Sequence, residues 1–455
     1  MIEIRNPYTK KIVGEIEETD LAKVDQILKT SEKVKYTFSV KERTAILLHT
    51  ADILHTRREK YAKTITDESG LCLKDTLYEI DRVTASARFA AMVAKHIEED
   101  TTQRYILDDK PGPKLHVTTE PVDLAVGITP FNHPMNQIAH KIFPAIAAGS
   151  PIILKPSEKT PLSALLLRKI LTEAGLAEDV FRIVINKNVE KLVHLLVSSP
   201  LVRLISFTGS YAVGEKIAML KNPLTRYIPE MGGCSAFIVN DDADIALAAG
   251  LAVKGCFDNS GQRCTAIRRI IVLENIADTF VEKFLQKTEK IKYGDPYNPT
   301  TDMGTVIDEE AAKKIQKRVE SAIKDGATLL YGNKRDGALY PPTILDRVSS
   351  SSELVQQETF GPVGSILRVR NLDEAISLAN TTDYALAGAI VTKSRETALR
   401  VANTLVVGQF SWNGIPGYRT EAAPFGGFKH SGNGEKEGIV LAAQSMRRIR
   451  TFYEH

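Results

Sequence analysis

Apolar residues recur every three or four positions through most of the first hundred residues. This spacing predicts amphipathic helices over about 20–37, 40–68 and 73–98, because a helix places such residues on one face. In the second helix the apolar stripe consists of Leu47, Leu48, Ala51 and Leu54. Ahead of the helices, two short apolar runs flank a turn at Asn6-Pro7-Tyr8-Thr9, so residues 1–17 are predicted to form a hairpin.

From residue 122 the pattern changes to short, almost continuous apolar runs that alternate with helical patterns. The predicted elements are strand 122–128, helix 136–146, strand 151–155, helix 162–174, strand 180–185 and strand 201–207. Such runs are typical of a parallel α/β sheet covered by helices on both faces. A second α/β unit is predicted from about residue 232, with strands at 235–239, 270–273, 327–330 and 388–391.

Two further segments are predicted to be strands outside these units. The first is an arm in which 104–107 and 114–121 flank a turn rich in proline and glycine. The second is the charged tail at 445–453. We expect the arm to contact a neighbouring subunit and the tail to pair with it across subunits.

Composition narrows the class of protein. A chain of 455 residues indicates two or three domains. Its net charge of +3 is dispersed, which argues against a nucleic-acid partner. Its four cysteines form neither a disulfide framework nor a zinc-site spacing, so no metal is expected. We find no signal peptide and no run of 18 apolar residues, so we expect a cytoplasmic protein without a membrane segment.

The strongest candidate for chemistry is Cys264. It follows the cationic Arg263 and a loop, Asn259-Ser260-Gly261-Gln262, and it precedes an apolar strand. A thiol beside a fixed positive charge favours the thiolate that covalent catalysis requires. The alternative is a small buried cysteine with no chemical role.

Three other motifs lie at the ends of predicted strands and a fourth follows the apolar Tyr227-Ile228-Pro229, and each has a structural alternative. Asn132 stands between two prolines and can donate its amide N–H to an oxyanion, or it is a turn residue. Lys155 and Glu158 can bind the hydroxyls of a ribose, or they open a helix. Phe207-Thr208-Gly209-Ser210 opens a helix whose amino terminus suits a phosphate, although it is not the Gly-x-Gly-x-x-Gly fingerprint. Glu230, beside Met231-Gly232-Gly233, is either a general base or a glutamate at a strand end.

Two turns that combine an aromatic ring with glycine complete the series, at Glu358-Thr359-Phe360-Gly361-Pro362 and Pro424-Phe425-Gly426-Gly427. In their order along essentially the whole chain, these motifs resemble those of the aldehyde dehydrogenase superfamily. The resemblance implies a Rossmann-type NAD-binding domain (1–103 and 122–231), an α/β catalytic domain (232–437) and a small β oligomerisation arm and tail (104–121 and 438–455). It also implies a homodimer or homotetramer.

The resemblance further implies roles for the site residues. Cys264 would form a thiohemiacetal whose oxyanion is held by Asn132 and the Cys264 backbone N–H, and Glu230 would activate water to hydrolyse the thioester. The implied cofactor is NAD, with NADP as a possibility that Glu158 disfavours. The residues implied in cofactor binding are Thr129, Pro130, Phe131, Lys155, Ser157, Glu158, Phe207, Gly209, Ser210, Glu230, Met231, Gly232, Glu358 and Phe360.

Within the superfamily, the lines around Asn132, Lys155 and Cys264 are most similar to the phosphonoacetaldehyde dehydrogenases. This resemblance implies oxidation of phosphonoacetaldehyde, with Arg82, His133, Arg263 and Arg419 around the anionic group. The helical pattern alone instead places Arg82 in solvent, away from the stripe of Leu77, Ile80, Thr84 and Ala87, where it would pair with Asp81 or Glu79. The same chemistry on lactaldehyde, glyceraldehyde 3-phosphate or another short anionic aldehyde is the alternative, and a non-catalytic binding protein is a third hypothesis.

Overall fold

The computed structural model describes residues 1–34, 38–97 and 114–455, with Lys114 described by its backbone only. The predicted strand at 104–107 and its turn lie outside the described residues. Within them, no helix combines the length and the apolar character that crossing a bilayer demands.

The amino-terminal part consists of a hairpin, a group of helices and one strand. These are β1 (Ile2–Arg5), β2 (Ile12–Ile16), α1 (Val24–Glu32), α2 (Val40–Thr56), α3 (Arg58–Ser69), α4 (Leu73–His96) and β3 (Lys114–Pro121). The single helix predicted over 40–68 is wrong, because the backbone of Arg57 leaves helical geometry (φ −110°, ψ 24°) and separates α2 from α3. In α2, Leu47, Ala51 and Leu54 are buried as predicted, whereas Leu48 is 42% exposed.

The first sheet is parallel and has the order β6-β5-β4-β7-β8. Its elements are β4 (Ala125–Ile128), α5 (Pro134–Ala148), β5 (Ile152–Lys155), α6 (Leu162–Glu173), β6 (Phe181–Ile183), α7 (Val189–Val197), β7 (Leu204–Thr208), α8 (Tyr211–Leu220) and β8 (Arg226–Glu230). The predicted parallel α/β fold is therefore confirmed.

The second sheet contains seven strands in the order β11-β12-β13-β10-β9-β15-β16, and only its edge strand β11 runs antiparallel to its neighbour. Its elements and those that follow are β9 (Ser235–Val239), α9 (Ile245–Phe257), β10 (Ile267–Leu273), α10 (Glu274–Thr288), α11 (Glu309–Lys324), β11 (Thr328–Tyr331), β12 (Thr343–Asp346), α12 (Glu353–Gln356), β13 (Val363–Val369), α13 (Leu372–Ala379), β14 (Tyr384–Ala385), β15 (Ala387–Val391), α14 (Arg395–Thr404), β16 (Gln409–Trp412), β17 (Phe428–Lys429), α15 (Ile439–Ser445) and β18 (Arg447–Glu454). The first sheet ends at Glu230 and the second begins at Ser235. The assignment of the two sheets to separate domains stays a prediction.

The tail strand β18 pairs antiparallel with β3 along its whole length, from Arg447 opposite Pro121 to Glu454 opposite Lys114. The tail was predicted to pair with this arm, but across subunits. In the structure the two strands pair within one chain.

Candidate active site

One cleft of about 610 Å³ opens at the carboxyl ends of the first sheet's strands and extends to the nucleophile loop of the second. Its lining includes Asn132, Glu230, Cys264 and Glu358. Ligands of open α/β sheets bind beyond the carboxyl ends of parallel strands, because the loops there converge. The fold therefore brings the predicted thiol, amide and carboxylates to one place.

The nucleophile loop, which we define as residues 258–264, has an unusual backbone. Three successive residues, Asn259, Ser260 and Gly261, adopt left-handed φ angles of 60°, 53° and 65°. Such a run costs free energy and persists only where the surroundings hold it. The buried guanidinium of Arg268 holds it here, because it donates to the carbonyl oxygens of Gly261 (2.6 Å) and Gly361 (2.7 Å).

Cys264 is half-buried, and its surroundings favour the thiol over the thiolate. Burial raises the pKa of Cys264 to about 12, the charges of Glu358 and Glu230 act in the same direction, and Arg419 opposes them. The expectation that Arg263 favours the thiolate is wrong. Its guanidinium donates instead to the carbonyl oxygen of Lys254 at 2.9 Å, at the end of α9, and does not line the cleft.

Asn132 is oriented by two hydrogen bonds. Its side-chain Nδ2 donates to the carbonyl oxygen of Gln262 at 2.8 Å, and its backbone carbonyl oxygen accepts from Asn259 Nδ2 at 2.9 Å. An amide nitrogen carries two hydrogens, so one N–H remains for a ligand in the cleft. Asn132 is thereby fixed to the same loop that carries Cys264.

Glu230 ends β8 with both carboxylate oxygens buried and, among the described residues, without a hydrogen-bond partner. Burial raises its pKa well above the ordinary value, and the charge of Glu437 adds to the effect. The charges of Lys141, Arg419 and Lys436 act in the opposite direction. A buried carboxyl group with a raised pKa and free oxygens has the properties of a general base.

Behind Glu230 lies a buried ion pair that the sequence reasoning missed. Lys141 Nζ contacts Glu437 Oε1 at 2.8 Å and also donates to the hydroxyls of Ser206 (3.0 Å) and Thr208 (2.9 Å). The available signal was a lysine among apolar residues within the predicted helix 136–146, since such a lysine is seldom buried without a partner. Its partner Glu437 is far away in sequence and gave no signal of its own.

The phosphate motif forms the amino terminus of α8. Ser210 is the N-cap residue and its side chain makes no capping bond, so the helix has unused N–H groups at the cleft. A Cβ at Gly209 would lie 2.6 Å from the ring of Phe207, so only glycine fits there. Phe207 is itself buried and its ring packs against Gly209 of this turn. It does not line the cleft.

Glu358 contributes a carboxyl group to the lining of the cleft. Its Oε1 accepts from the backbone N–H of Gly233 at 3.1 Å, and burial raises its pKa to about 7, although Arg268 lowers it. A Cβ at Gly232 would lie 2.3 Å from Glu358 Oε2, so the glycine permits this approach. Beside it, the rings of Phe360 and Phe131 meet edge to face at 5.7 Å.

The ribose motif forms an ion pair in the structure. Lys155 Nζ contacts Glu158 Oε2 at 3.1 Å. Burial of Glu158 acts to raise its pKa, but the charge of Lys155 and hydrogen bonds outweigh it and lower the pKa. Pro130, Phe131, Gly209, Ser210, Met231 and Phe360 line the cleft, whereas Thr129, Lys155, Ser157 and Glu158 do not. A helix amino terminus, a glycine turn and the Glu358 carboxylate along one cleft fit a dinucleotide.

The predicted anion ligands are only partly brought together. Arg82 is neither in solvent nor paired with Asp81, since it contacts Glu421 (2.7 Å) and donates to the carbonyl oxygen of Arg419 (3.0 Å). Asp81 pairs with Arg58 instead. None of the four predicted residues lines the cleft.

The remaining two anion candidates differ in their position. His133 faces Glu79, with Nδ1 3.8 Å from Oε2. Arg419 lies over the ring of Phe425 at 4.4 Å and contacts the ring nitrogens of buried His140 at 3.0 and 3.1 Å. The charge of Arg419 acts on both Glu230 and Cys264, which couples it electrostatically to the candidate chemistry.

Comparisons with known proteins agree with this geometry. The model of the aldehyde dehydrogenase family matches residues 1–452. A 3-sulfolactaldehyde dehydrogenase of Priestia aryabhattai is 36% identical over 453 residues, covering 99% of this chain and 94% of the relative. A lactaldehyde dehydrogenase of Methanococcus maripaludis (strain C7) is 33% identical over 461 residues, covering 100% and 97%.

Solved structures give the same result. Glyceraldehyde-3-phosphate dehydrogenase GapN of Methanocaldococcus jannaschii, complexed with NADP, has a TM-score of 0.93 and 34% identity, and the match covers 100% of this chain and 98% of that one. An NADP-dependent glyceraldehyde-3-phosphate dehydrogenase of Bacillus halodurans has a TM-score of 0.94 and 33% identity over 99% and 95%. The chain therefore belongs to the aldehyde dehydrogenase family and is an NAD(P)-dependent oxidoreductase that acts on an aldehyde.

Proposed function

We propose that this enzyme oxidises a short aldehyde that carries a hydroxyl or an anionic group, of the class of lactaldehyde, 3-sulfolactaldehyde and glyceraldehyde 3-phosphate. The observation that carries the chemistry is the convergence of Cys264, Asn132, Glu230 and Glu358 on one cleft. The substrate class is supported by the relatives, which are named for such aldehydes.

In the first step, Cys264 Sγ adds to the carbonyl carbon and the thiol proton passes to Glu230, which releases it to solvent before the last step. The carbonyl oxygen becomes an oxyanion, which receives the second N–H of Asn132. Because the Gln262 bond fixes this side-chain amide and the Asn259 bond fixes the Asn132 backbone, the amide needs little reorganisation to meet the developing charge.

When bound, a nicotinamide cofactor would supply the acceptor for the hydride of the tetrahedral carbon. Ser210 and the amino terminus of α8 would hold its pyrophosphate, Glu358 a ribose, and Lys155 with Glu158 the adenine ribose. Because the Glu158 carboxylate repels a 2′-phosphate, we infer a preference for NAD over NADP.

In the last step, Glu230 removes a proton from water, which attacks the thioester on Cys264 and releases the acid. Its buried, unpartnered oxygens are free to accept that proton. A base for water also argues against transfer of the acyl group to coenzyme A, which requires none.

The anionic end of the substrate is assigned to the side of the cleft nearest Arg419. A guanidinium suits sulfonate, phosphate and phosphonate oxygens alike, because its planar fork can donate two hydrogen bonds. Phosphonoacetaldehyde, which the sequence motifs favour, therefore belongs in the test, although the relatives support the hydroxyaldehydes more directly.

The test is a panel of aldehydes followed by NAD(P)H absorbance, with Cys264→Ser as the inactive control. We expect kcat/KM to be highest for 3-sulfolactaldehyde, lactaldehyde or glyceraldehyde 3-phosphate, and Arg419→Met to reduce it more for the charged aldehydes than for lactaldehyde. A kcat/KM for phosphonoacetaldehyde above those of these three aldehydes would instead identify phosphonoacetaldehyde as the substrate. Equal rates on unsubstituted aliphatic aldehydes would contradict the substrate class.

We also infer that the enzyme is a homo-oligomer that associates through the ribbon formed by β3 and β18. This ribbon exposes Ile449, Phe452 and Tyr453, with 74%, 59% and 56% of their surfaces accessible in the single chain. Exposing apolar residues of a two-stranded ribbon to water is unfavourable in free energy. We therefore propose that a second copy of the chain buries them.

A further inference from the structure

Two charged residues that take no part in the reaction steps proposed above hold the side of the nucleophile loop that faces away from the cleft. One is Asp75, in the first turn of α4. Its Oδ2 accepts the backbone N–H of Asn259 at 3.2 Å, and the thiol of Cys72 contacts the same oxygen at 3.3 Å. Asn259 is the first of the three left-handed residues, so this bond fixes the loop where its strained segment begins.

The bond to Asn259 is connected to the reaction centre through one side chain. Asn259 Nδ2 donates to the carbonyl oxygen of Asn132 at 2.9 Å, and Asn132 Nδ2 donates to Gln262 at 2.8 Å. A shift of the Asn259 backbone therefore changes both the amide that meets the oxyanion and the loop that carries the thiol.

The second residue is Arg263, directly before Cys264. Its guanidinium donates to the carbonyl oxygens of Lys254 (2.9 Å) and Gly255 (3.4 Å), in the last turn of α9. A cation at this end of a helix meets unpaired carbonyls and the negative end of the helix dipole. The residue before the nucleophile is thereby tied to α9.

The charges of Asp75, Asp258 and Arg263 on this outer side also favour the observed conformation of the nucleophile loop. Burial raises the pKa of Asp75 to about 7, the charge of Asp258 acts in the same direction, and the charge of Arg263 opposes both. Burial also raises the pKa of Asp258, again opposed by Arg263, with help from Lys254 and Lys74. Arg263 is therefore the cation that offsets the repulsion between two carboxylates beside the loop.

We propose that Asp75 and Arg263 are positioning residues that hold the nucleophile loop from behind, through Asn259 and the end of α9, and that neither contacts the substrate. This inference rests on the proposed role of Cys264 but not on the identity of the aldehyde. It gives Arg263 a different role from the anion ligand that the sequence motifs imply.

The test uses Asp75→Ala, Asp75→Asn, Arg263→Met and Arg263→Lys, with Asp81→Asn as a matched control on the same helix. Two readouts are combined: kcat and KM on glyceraldehyde 3-phosphate and on uncharged propionaldehyde, and the rate at which iodoacetamide alkylates Cys264 without substrate, followed by peptide mass spectrometry. The other three cysteines are buried, so the alkylation reports on Cys264.

We expect Asp75→Ala and Arg263→Met to lower kcat by about 10- to 100-fold, because small misplacements of reacting groups have effects of this size. The factor should be the same for both aldehydes, KM should change little, and the alkylation rate should change. Asp75→Asn and Arg263→Lys should recover most of the activity, because an amide oxygen still accepts from Asn259 and an ammonium still donates to α9. Asp81→Asn should match the wild type, since Asp81 only forms a surface pair with Arg58.

A loss confined to the charged aldehyde, or a rise in its KM alone, would make Arg263 a substrate ligand and overturn the proposal. Unchanged kcat and alkylation in Asp75→Ala and Arg263→Met would overturn it as well. If these two variants fail to fold, a loss of kcat on both aldehydes in Asp75→Asn or in Arg263→Lys, which keep the hydrogen bonds to Asn259 and to α9, would still contradict it. Because propionaldehyde and alkylation do not depend on the substrate class, failure of the proposed substrate would be visible separately in the wild type.

Discussion

At the scale of single residues, the site depends on how Glu230 is surrounded by charge. Its carboxyl group lies between a like charge, Glu437, and three cations, Lys141, Arg419 and Lys436. Burial dominates and keeps the pKa of Glu230 above its ordinary value. Since a general base acts only when deprotonated, activity should fall as the pH decreases through this raised pKa.

The fall of kcat at low pH forms the acidic limb of the pH profile. Substitutions of Lys141 and Glu437, the buried ion pair, should move this limb in opposite directions. In Glu437→Gln the like charge is removed and Lys141 loses its partner, so the pKa of Glu230 decreases and the limb of the kcat profile moves to lower pH. In Lys141→Gln a cation is removed, so the pKa increases and the limb moves to higher pH. The measurement is kcat against pH at saturating substrate and cofactor.

The two variants control for each other. Both break the same buried pair, which costs about 3–5 kcal/mol when one partner is left alone. Loss of stability therefore cannot explain shifts of opposite sign. Shifts in the same direction in both variants would show that this pair does not set the pKa of the base.

At the scale of elements, the apolar pattern predicted most strands and helices. It did not predict the positions where a change in backbone conformation ends one element and the next begins. The stripe over 40–68 continues through Arg57, so the break between α2 and α3 was missed. β8 was missed because Pro229 argues against a strand. It is tolerated because β8 is the edge strand of its sheet.

The direction of Arg263 could not be predicted from sequence for a related reason. Proximity to Cys264 suggested a common pocket, but three successive left-handed residues turn the loop, and the side chain reaches α9 instead. By contrast, Asn132 and Glu230 were predicted to meet Cys264, and all three line one cleft. Asn132 and Glu230 lie at the carboxyl ends of parallel strands, which meet at the same edge of the first sheet, whereas Cys264 reaches the cleft from the loop before β10. Sequence motifs at strand ends are therefore more informative than neighbours within a loop.

The left-handed run leads to a prediction about the whole nucleophile loop. Gly261→Ala would place a Cβ 2.3 Å from the carbonyl oxygen of Gly361 at a φ of +65°. We expect the free energy of unfolding to fall by about 2–4 kcal/mol, as strain and close contact add up. We also expect kcat to fall at least tenfold, because the loop must move.

Gly326→Ala is the matched control for that variant. Gly326 also has a left-handed φ, of +100°, but no atom of the described residues lies within 4 Å of a Cβ built there. This variant bears the backbone strain of about 1–2 kcal/mol without the contact, and its kcat should equal that of the wild type. Equal losses of stability in the two variants, measured by urea denaturation, would show that the contact with Gly361 has no effect.

At the scale of the whole molecule, the ribbon of β3 and β18 is the surface most suited to association. Along β18, Ile449 and Tyr453 are four residues apart and so lie on one face of the strand, opposite Thr119 and Leu115 of β3. The carboxyl-terminal helix α15 packs its Ile439 and Ala443 into the core near α5, so the ribbon emerges from a fixed base. A fixed, apolar ribbon face can associate at little entropic cost.

Charges on this face should therefore dissociate the oligomer without unfolding the chain. Ile449→Asp combined with Tyr453→Asp places carboxylates on residues that are 74% and 56% exposed, so the monomer tolerates them while an apolar interface does not. We expect light scattering to give an oligomer for the wild type and a monomer for the double variant. The monomer should remain folded. Leu224→Asp, at an exposed leucine far along the chain from the ribbon, is the control and should leave the oligomer intact. A wild-type monomer, or an oligomer that survives both ribbon substitutions, would show that association does not use this face.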